Sequence, residues 1–283
     1  MAAVHSSATG TMLHHAEWAA LTDLPLVHTV VEAILGPGYR CYGADGDFNL
    51  PFSDYQPLHS DMGDARCQVT DVATGLVVGS ARPGSPVAPG TAHSPGGGGF
   101  FDPSGRLTCR DLPPMDVCVN FPVEPLHALN GPMRIIRGTH HSQTPIPALK
   151  GEPDWMRTST LCPLPAGSAL FRDPRTWHGA TPNLSDRPRA VPCALFSASW
   201  FGAPRNRHVM PREIFETLSP QGQAACAELV LLPGEELAEG YRDGFGVTTE
   251  HGMDEAGVQQ MRNGVDGAGG SATNFLPRGA PRL

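Results

Sequence analysis

The sequence predicts one mainly β, barrel-like domain flanked by α-helices. At 283 residues the chain is long enough for one large β domain or two small ones. Its 33 Gly and 29 Pro exceed what long helices tolerate and indicate many turns between short strands. Hydrophobic residues, at 40%, are sufficient to fill a core. We therefore expect a single domain over residues 1–262, followed by a flexible, glycine-rich tail over residues 263–283.

Helices are expected at the two ends of this domain. Apolar residues recur at helical spacing over residues 12–36, and Gly36-Pro-Gly38 ends the pattern. Pro25 should divide this segment into two pieces, because proline breaks a helix interior. A second helical pattern covers residues 211–230.

Between the helices the pattern predicts short strands separated by Pro, Gly, Asn and Ser turns. The predicted strands are 39–44, 57–68, 115–121, 133–137, 168–171, 176–178 and 189–200. Since side chains alternate along a strand, His59 and Asp61 should share one face of the strand 57–68.

Residues 79–106 differ from the rest in being rich in Gly, Pro and Ser. One interpretation is a solvated, mobile insertion; the other is a lid over a pocket, since long loops inside compact domains are often functional. Phe100-Phe101 beside four glycines favours the lid.

Composition excludes several functional classes. The formal charge is −8 and no Lys/Arg run is present, which argues against nucleic acid as a partner. No apolar run approaches the roughly 18 residues of a membrane span, and the first twenty residues lack a signal-peptide pattern. Seven cysteines without zinc-type spacing suit a reducing compartment. We therefore expect a cytoplasmic protein that acts on a small molecule without nucleic acid or membrane, with a homodimer left open.

Two histidines and a carboxylate stand out as candidate metal ligands. His59 and Asp61 form a His-x-Asp pair, and His178 lies on a later predicted strand. Two imidazoles and one carboxylate can occupy one face of Fe(II) and leave three coordination positions open for a chelating cosubstrate and O2. Taken singly, each residue is equally well explained as a surface or core residue.

A candidate anion clamp follows the second histidine. The Pro/Asn/Ser/Asp turn after Ala180 suggests that 176–180 and 189–193 pair as a hairpin. Arg189 would then lie near His178, where its guanidinium can bind a distant carboxylate while the metal holds the other end. Arg187 has the same strand parity and competes for this role, although the eleven-residue spacing favours Arg189.

Four segments in this order resemble the phytanoyl-CoA dioxygenase (PhyH)-like family of Fe(II)/2-oxoglutarate-dependent oxygenases. They are Gln56-Pro-Leu-His-Ser-Asp-Met62, Asn130-Gly-Pro-Met-Arg-Ile-Ile-Arg-Gly-Thr-His140, Pro165-Ala-Gly-Ser-Ala-Leu-Phe171 with Trp177-His-Gly, and Asn183-Leu-Ser-Asp-Arg-Pro-Arg189. The resemblance runs from about residue 33 to about residue 220. It implies a double-stranded β-helix, the jelly-roll or cupin-like barrel, with flanking helices.

The resemblance also implies the site. His59, Asp61 and His178 would be the Fe(II) ligands and catalytic residues, and Arg189 would hold the far carboxylate of the cosubstrate 2-oxoglutarate. Gln56 matches a residue that also touches the cosubstrate in several members. O2 would be the third cofactor.

Some positions depart from the family pattern or stay open. Ala180 stands where some members carry a hydroxyl that helps to hold the cosubstrate, and Thr181 could substitute for it. Asn120, on a predicted inward strand, either reaches cosubstrate or substrate or is a core residue bonded to the backbone. Arg137 replaces the proline of the usual Pro-Gly-Ser-His turn.

By this resemblance the chain would oxidise an unactivated C–H bond of a small metabolite, such as a natural-product intermediate, and release succinate and CO2. Related halogenases have a small residue at the carboxylate position, so Asp61 favours hydroxylation, desaturation or rearrangement. The alternatives are a catalytically silent partner subunit of the same fold, a cupin-type protein holding another metal, and a zinc hydrolase. The zinc hydrolase leaves Arg189 unexplained.

Overall fold

The computed structural model of the chain describes residues 4–5, 12–62, 67–74, 77–81, 88–94, 107–142, 144, 146–158, 160–201 and 209–237. Within these residues the structure is mainly β with few and short helices, as the sequence predicts. The strands are β1 Val4–His5, β2 Arg40–Asn49, β3 Cys67–Asp71, β4 Val77–Ala81, β5 Thr91–Ser94, β6 Asp116–Asn120, β7 Met133–Ile135, β8 Leu170–Arg172, β9 His178–Ala180 and β10 Arg189–Ser197. The helices are α1 Ala16–Leu21, α2 Pro25–Leu35, α3 Trp155–Thr158, α4 Arg212–Phe215 and α5 Pro220–Cys226.

The largest sheet is antiparallel and has the strand order β1-β2-β10-β6-β8. Its two faces differ because side chains alternate along each strand. On β6, Val117 and Val119 pack in the main hydrophobic core with Val31 of α2 and Leu229 after α5. The intervening Cys118 faces away from this core. The helices therefore cover one face of the sheet, and the other face is left for polar side chains.

The strand register identifies the residues of that second face. Asn120 lies opposite Cys193, which has the parity of Arg189 along β10. Cys118 lies opposite Arg172 of β8. Asn120, Arg172 and Arg189 consequently share one face of the large sheet, and all three are buried.

A smaller sheet lies against this polar face. It consists of β7 and β9 in antiparallel pairing, and His59 adds an isolated bridge to His178 on the other side of β9. Side chains connect the two sheets: Arg172 of β8 donates to Asp61, beside this bridge. The ligand candidates are thus held between the two sheets.

The predicted strand 57–68 is corrected by the structure. His59 forms only the bridge to His178, Asp61 lies in a bend, and the strand that follows, β3, pairs with β4 and β5 in a separate sheet. The Ser60 hydroxyl lies within hydrogen-bonding distance of the carbonyls of Met62, Pro174 and Arg175, and so stabilises the bend.

The Gly/Pro-rich segment 79–106 contains regular structure where it is described. Its first residues belong to β4, and β5 lies within it; both strands pair with β3. Residues 82–87 and 95–106, including Phe100-Phe101, lie outside the described residues, as does the predicted tail 263–283. The lid prediction therefore stays a prediction.

The helical predictions hold at the N-terminal end and need correction at the other. Pro25 separates α1 from α2, as predicted. The pattern over 211–230 forms two helices, α4 and α5, because Ser219 caps α5 and Pro220 begins it. In the described part of the chain, no helix is long and apolar enough to cross a membrane.

The predicted hairpin between 176–180 and 189–193 is wrong. β9 pairs with β7 in the small sheet, whereas β10 pairs with β2 and β6 in the large one. Asn183 explains the divergence: its side-chain amide donates to the carbonyls of Asn49 and Arg187, and Arg189 pairs with Asn49. The turn thus passes the chain from one sheet to the other.

Candidate metal centre

Three side-chain atoms converge between the two sheets. Nε2 of His59 lies 3.5 Å from Oδ1 of Asp61, and Nε2 of His178 lies 3.4 Å from the same oxygen. All three atoms lie within 4.8 Å of one another. Around an ion with bonds of about 2.1 Å, adjacent donor atoms are separated by roughly 3 Å. The three atoms are therefore arranged so that one cation can contact all of them.

Backbone carbonyls fix the orientation of both imidazoles. Nδ1 of His59 is 3.2 Å from the carbonyl of Pro57, and Nδ1 of His178 is 2.9 Å from the carbonyl of Thr176. With the ring proton on Nδ1 donated to these oxygens, each Nε2 presents a lone pair toward Asp61. Each histidine has the carbonyl two residues before itself within reach of Nδ1, and Nδ1 of His178 also lies 3.2 Å from Nη1 of Arg172.

Backbone pairing places the ligands. The amide of His59 donates to the carbonyl of His178 at 3.0 Å, and the reverse hydrogen bond has the same length. The Asp61 amide donates to the carbonyl of Pro174 at 2.9 Å. Gly179 allows this close approach, since a Cβ there would lie 2.9 Å from the carbonyl oxygen of Gln56.

Arg172 is a site residue that the sequence analysis missed. Its Nη1 donates to Oδ2 of Asp61 at 2.7 Å, which leaves Oδ1 directed at the two imidazoles. The guanidinium is almost fully buried, and its Nε has no partner among the described residues. The structure explains its placement: Phe171 of β8 packs against the helical core, so the next residue, Arg172, faces the opposite side of the sheet.

The charges within this group favour metal-ready protonation states. Desolvation opposes the charge of Asp61, but Arg172 and His178 outweigh it, and the pKa of Asp61 lies well below its usual value. Desolvation, followed by the Arg172 charge, lowers the pKa of His178 to about 4. At neutral pH the carboxylate is therefore ionised and the His178 imidazole is neutral, as metal ligation requires.

Arg189 is a buried cation on the same face of the large sheet. Its guanidinium donates to the carbonyls of Asn130 and Gly131, and no carboxylate in the described part of the chain forms an ion pair with it. Burial lowers the pKa of Arg189. Arg187, the competing candidate, is exposed. A buried guanidinium that bonds only to carbonyls fits the binding of an incoming carboxylate.

The remaining candidates are buried and have hydrogen-bond partners in the protein. Oε1 of Gln56 accepts from the Ala180 amide at 2.9 Å, which ties the ligand segment to β9. The Thr181 hydroxyl donates to the carbonyl of Pro132 at 2.6 Å. Oδ1 of Asn120 accepts weakly from the Cys118 thiol at 3.5 Å. Gln56 and Thr181 therefore hold backbone around the centre, and Asn120 lies on the same face as Arg189.

Other polar residues from the sequence analysis lie outside this group. Arg134 is fully buried in an ion pair with Glu152 and donates to the Gln56 carbonyl. Arg137 is exposed. The His140-His141 pair lies at a separate cavity of about 540 Å³ beside Arg175. Within the described residues, His, Cys, Asp and Glu side chains converge closely enough to hold a metal ion in one group, formed by His59, Asp61 and His178.

The structure is mainly β and holds a centre of two histidines and one carboxylate, with a buried arginine on the polar face of the large sheet. These features define a candidate metalloprotein of the facial-triad class. Residues 83–191 match the family model described as phytanoyl-CoA dioxygenase (PhyH), which confirms the resemblance drawn from the sequence.

Solved structures similar to the chain include those of EvdMO1, HygX and SnoN. The crystal structure of EvdMO1 is 14% identical over 62% of this chain and 31% of that one, with a TM-score of 0.38. HygX from Streptomyces hygroscopicus, with nickel, 2-oxoglutarate and hygromycin B bound, is 16% identical over 65% and 66%, with a TM-score of 0.41. The non-heme alpha ketoglutarate dependent epimerase SnoN from nogalamycin biosynthesis is 14% identical over 72% and 65%, with a TM-score of 0.42. The chain spans less than two thirds of the length of each.

Proposed function

We propose that this protein is an Fe(II)/2-oxoglutarate-dependent oxygenase that oxidises a C–H bond of a small molecule. The observation that carries the proposal is the convergence of His59 Nε2, His178 Nε2 and Asp61 Oδ1 on one point. Such a set binds one face of Fe(II) and leaves positions for a chelating cosubstrate and O2. The family match over residues 83–191 supports the same chemistry.

The residues present fit both groups. Two imidazoles and one carboxylate are the donor set of non-haem Fe(II) oxygenases. Nδ1 of each histidine and Oδ2 of Asp61 already contact protein groups. For 2-oxoglutarate, Arg189 offers a buried guanidinium whose donors meet only carbonyls among the described residues. The double-stranded β-helix of the family would bring these two groups into one interior, consistent with Arg172 linking the two sheets.

In this proposal the site would hold Fe(II), 2-oxoglutarate and O2, which together would supply the oxidant for the substrate C–H bond. One oxygen atom of O2 would enter succinate, formed with CO2 from 2-oxoglutarate, and the other would be available to the substrate. The protein positions the reactants. The buried guanidinium of Arg189 would bind the far carboxylate of the cosubstrate and so orient it. With Nδ1 protonated, the carbonyls of Pro57 and Thr176 would accept these protons and leave each Nε2 for the metal. Asn120 presents its amide on the Arg189 face, where it can contact cosubstrate or substrate.

The finer assignment is hydroxylation of a metabolite of small or medium size, in the manner of natural-product biosynthesis. Asp61 fills the carboxylate position with an oxygen ligand, so that position is closed to a halide. A net charge of −8 disfavours large polyanionic substrates. We further propose a single catalytic domain over residues 1–262 that acts in the cytoplasm, without nucleic acid or membrane.

The test is anaerobic spectroscopy of the metal-free protein. Fe(II) and then 2-oxoglutarate are added under argon, and the visible charge-transfer band of the chelate is recorded. We expect a band in the wild type and its loss in Asp61→Ala. In Arg189→Ala, we expect saturation to require about 100-fold more 2-oxoglutarate, since a buried charge-assisted pair contributes about 3 kcal/mol.

Arg187→Ala is the matched control, because this arginine lies two residues before Arg189, outside β10, and is exposed. Its 2-oxoglutarate affinity should equal that of the wild type. Folded wild-type protein that gives no band would contradict the proposal and favour a silent partner subunit or another metal. Equal effects of Arg187→Ala and Arg189→Ala would contradict the assigned clamp.

A further inference from the structure

We infer that Arg172 is a positioning residue of the metal centre, which makes Asp61 bind the metal through Oδ1 alone. The inference rests on the proposed metal site and extends it to a residue outside the ligand set. Three observations carry it: the hydrogen bond to Oδ2, the burial of the guanidinium, and its place between the two sheets.

The geometry divides the two oxygens of one carboxylate. Oδ1 lies 3.4 and 3.5 Å from the two imidazole nitrogens, whereas Oδ2 lies 2.7 Å from Nη1 of Arg172. A carboxylate whose second oxygen accepts a charge-assisted hydrogen bond cannot readily chelate through both oxygens. Chelation through both would occupy one of the positions that cosubstrate and O2 need.

Asp61 depends on this contact because the protein encloses its side chain only in part. Its side chain is 38% exposed, whereas that of Arg172 is 6% exposed. Arg172 extends from β8, opposite Cys118 of β6, so its position is set by the large sheet. Asp61 lies in a bend two residues after His59, which bridges to β9 of the small sheet. Arg172 therefore holds the carboxylate of Asp61 at a fixed position relative to the large sheet.

The same arrangement has an electrostatic cost. Nη1 of Arg172 lies 3.2 Å from Nδ1 of His178, and its positive charge repels a metal cation. Arg172 thus strengthens metal binding only through Asp61 and weakens it otherwise. This opposition gives a signature that a general role in stability would not give.

The experiment measures the affinity of Co(II) alone, followed by its visible absorption under argon without 2-oxoglutarate. Arg172→Met should weaken binding about 10- to 100-fold, the usual effect of losing a hydrogen-bond partner of a ligand. The Co(II) affinity of Arg172→Lys should lie between those of Arg172→Met and the wild type, because an ammonium group can still donate to Oδ2 of Asp61. In an Asp61→Ala background, the same Arg172 substitutions should leave affinity equal or make it tighter.

Arg175→Met is the control for losing a buried arginine that is paired with a carboxylate. Arg175 is buried, forms its ion pair with Asp173 and contacts no ligand side chain. Its Co(II) affinity should stay within about threefold of wild type, a change of under 1 kcal/mol. Equal weakening by Arg175→Met, or equal losses in the two backgrounds, would overturn the inference. If Arg172→Met does not fold, Arg172→Lys in both backgrounds decides the question.

The outcome is separable from that of the proposed function. Suppose the protein binds Co(II) through Asp61 but gives no charge-transfer band with Fe(II) and 2-oxoglutarate. That result would contradict the proposed oxygenase function and leave the inferred role of Arg172 intact. Wild-type protein that binds no Co(II) would remove both.

Discussion

Each ligand side chain uses one polar atom to anchor itself and presents the other to the centre. The two histidines anchor Nδ1 on carbonyls, and Asp61 anchors Oδ2 on Arg172. Ordering a ligand in this way before the metal arrives lowers the entropy cost of binding. The centre is therefore organised by the atoms around it as much as by the ligands.

Substitution of Thr181 shows whether its hydroxyl holds the backbone or binds the cosubstrate. Its hydroxyl proton is committed to the carbonyl of Pro132, beside Gly131, whose own carbonyl accepts from Arg189. We expect Thr181→Val to lower the free energy of unfolding by about 1 kcal/mol, the net value of one hydrogen bond. The concentration of 2-oxoglutarate that half-saturates the band should change less than about threefold. A tenfold rise with unchanged stability would place Thr181 at the cosubstrate.

At the scale of elements, the centre depends on how closely β9 approaches the segment around His59. Gly179 lies between the carbonyls of Gln56 and Pro57, at 2.9 and 3.2 Å from a Cβ position. The flanking hydrogen bonds between His59 and His178 have the ordinary length of 3.0 Å, so the two segments already lie at hydrogen-bonding distance. There is consequently no space for a methyl group without moving a ligand.

Gly179→Ala should therefore separate the two ligand segments. We expect Co(II) affinity to fall at least about tenfold and stability to fall by about 1–3 kcal/mol, as for overpacking. Metal titration and denaturant unfolding would measure the two effects. The matched control is Gly151→Ala, because a Cβ at Gly151 meets nothing within 4 Å. Wild-type metal affinity in Gly179→Ala would show that the two segments can shift without loss of the site.

Local signals in the sequence predicted the elements, and the pairing of strands was beyond them. Pro25 marked the division of the first helical segment, and the strand containing Asn120 was placed within a residue or two. The hairpin prediction failed because Asn183 holds the turn through Asn49, 134 residues away. Such a contact leaves no periodic trace in the sequence.

The site shows the same limit. Ligand types and spacing pointed to His59, Asp61 and His178, which the structure brings together. Arg172 was missed because its partner is 111 residues away and no motif contains both. Its role follows only when the register of β8 against β6 is known.

At the scale of the whole molecule, the large sheet separates stability from chemistry. One face packs against α1, α2 and α5 in the main hydrophobic core, and the other carries Arg172, Asn120 and Arg189. Asp23 joins elements on the helical side: Oδ1 and Oδ2 accept from the hydroxyl and amide of Ser219 at 2.6 Å, and Oδ1 lies 3.0 Å from His28 Nε2. Removing this charge should weaken the helical layer alone.

Asp23→Asn is expected to lower the free energy of unfolding at pH 7 by about 1–3 kcal/mol, since hydrogen bonds to a charged group are lost. Desolvation opposes the charge, but the hydrogen bonds from Ser219 outweigh it and lower the pKa of Asp23 below its usual value. The ionised carboxylate therefore stabilises the fold above the unfolded-state pKa of about 3.9, and this contribution is lost as pH falls through the folded pKa. Denaturant unfolding at pH 7, 5 and 3 should show the unfolding free energies of the two proteins converging at the lowest pH.

The Co(II) affinity of Asp23→Asn at pH 7 should stay at the wild-type value, because no atom of Asp23 reaches the polar face. A parallel loss of metal binding would show that the two faces are coupled through the sheet.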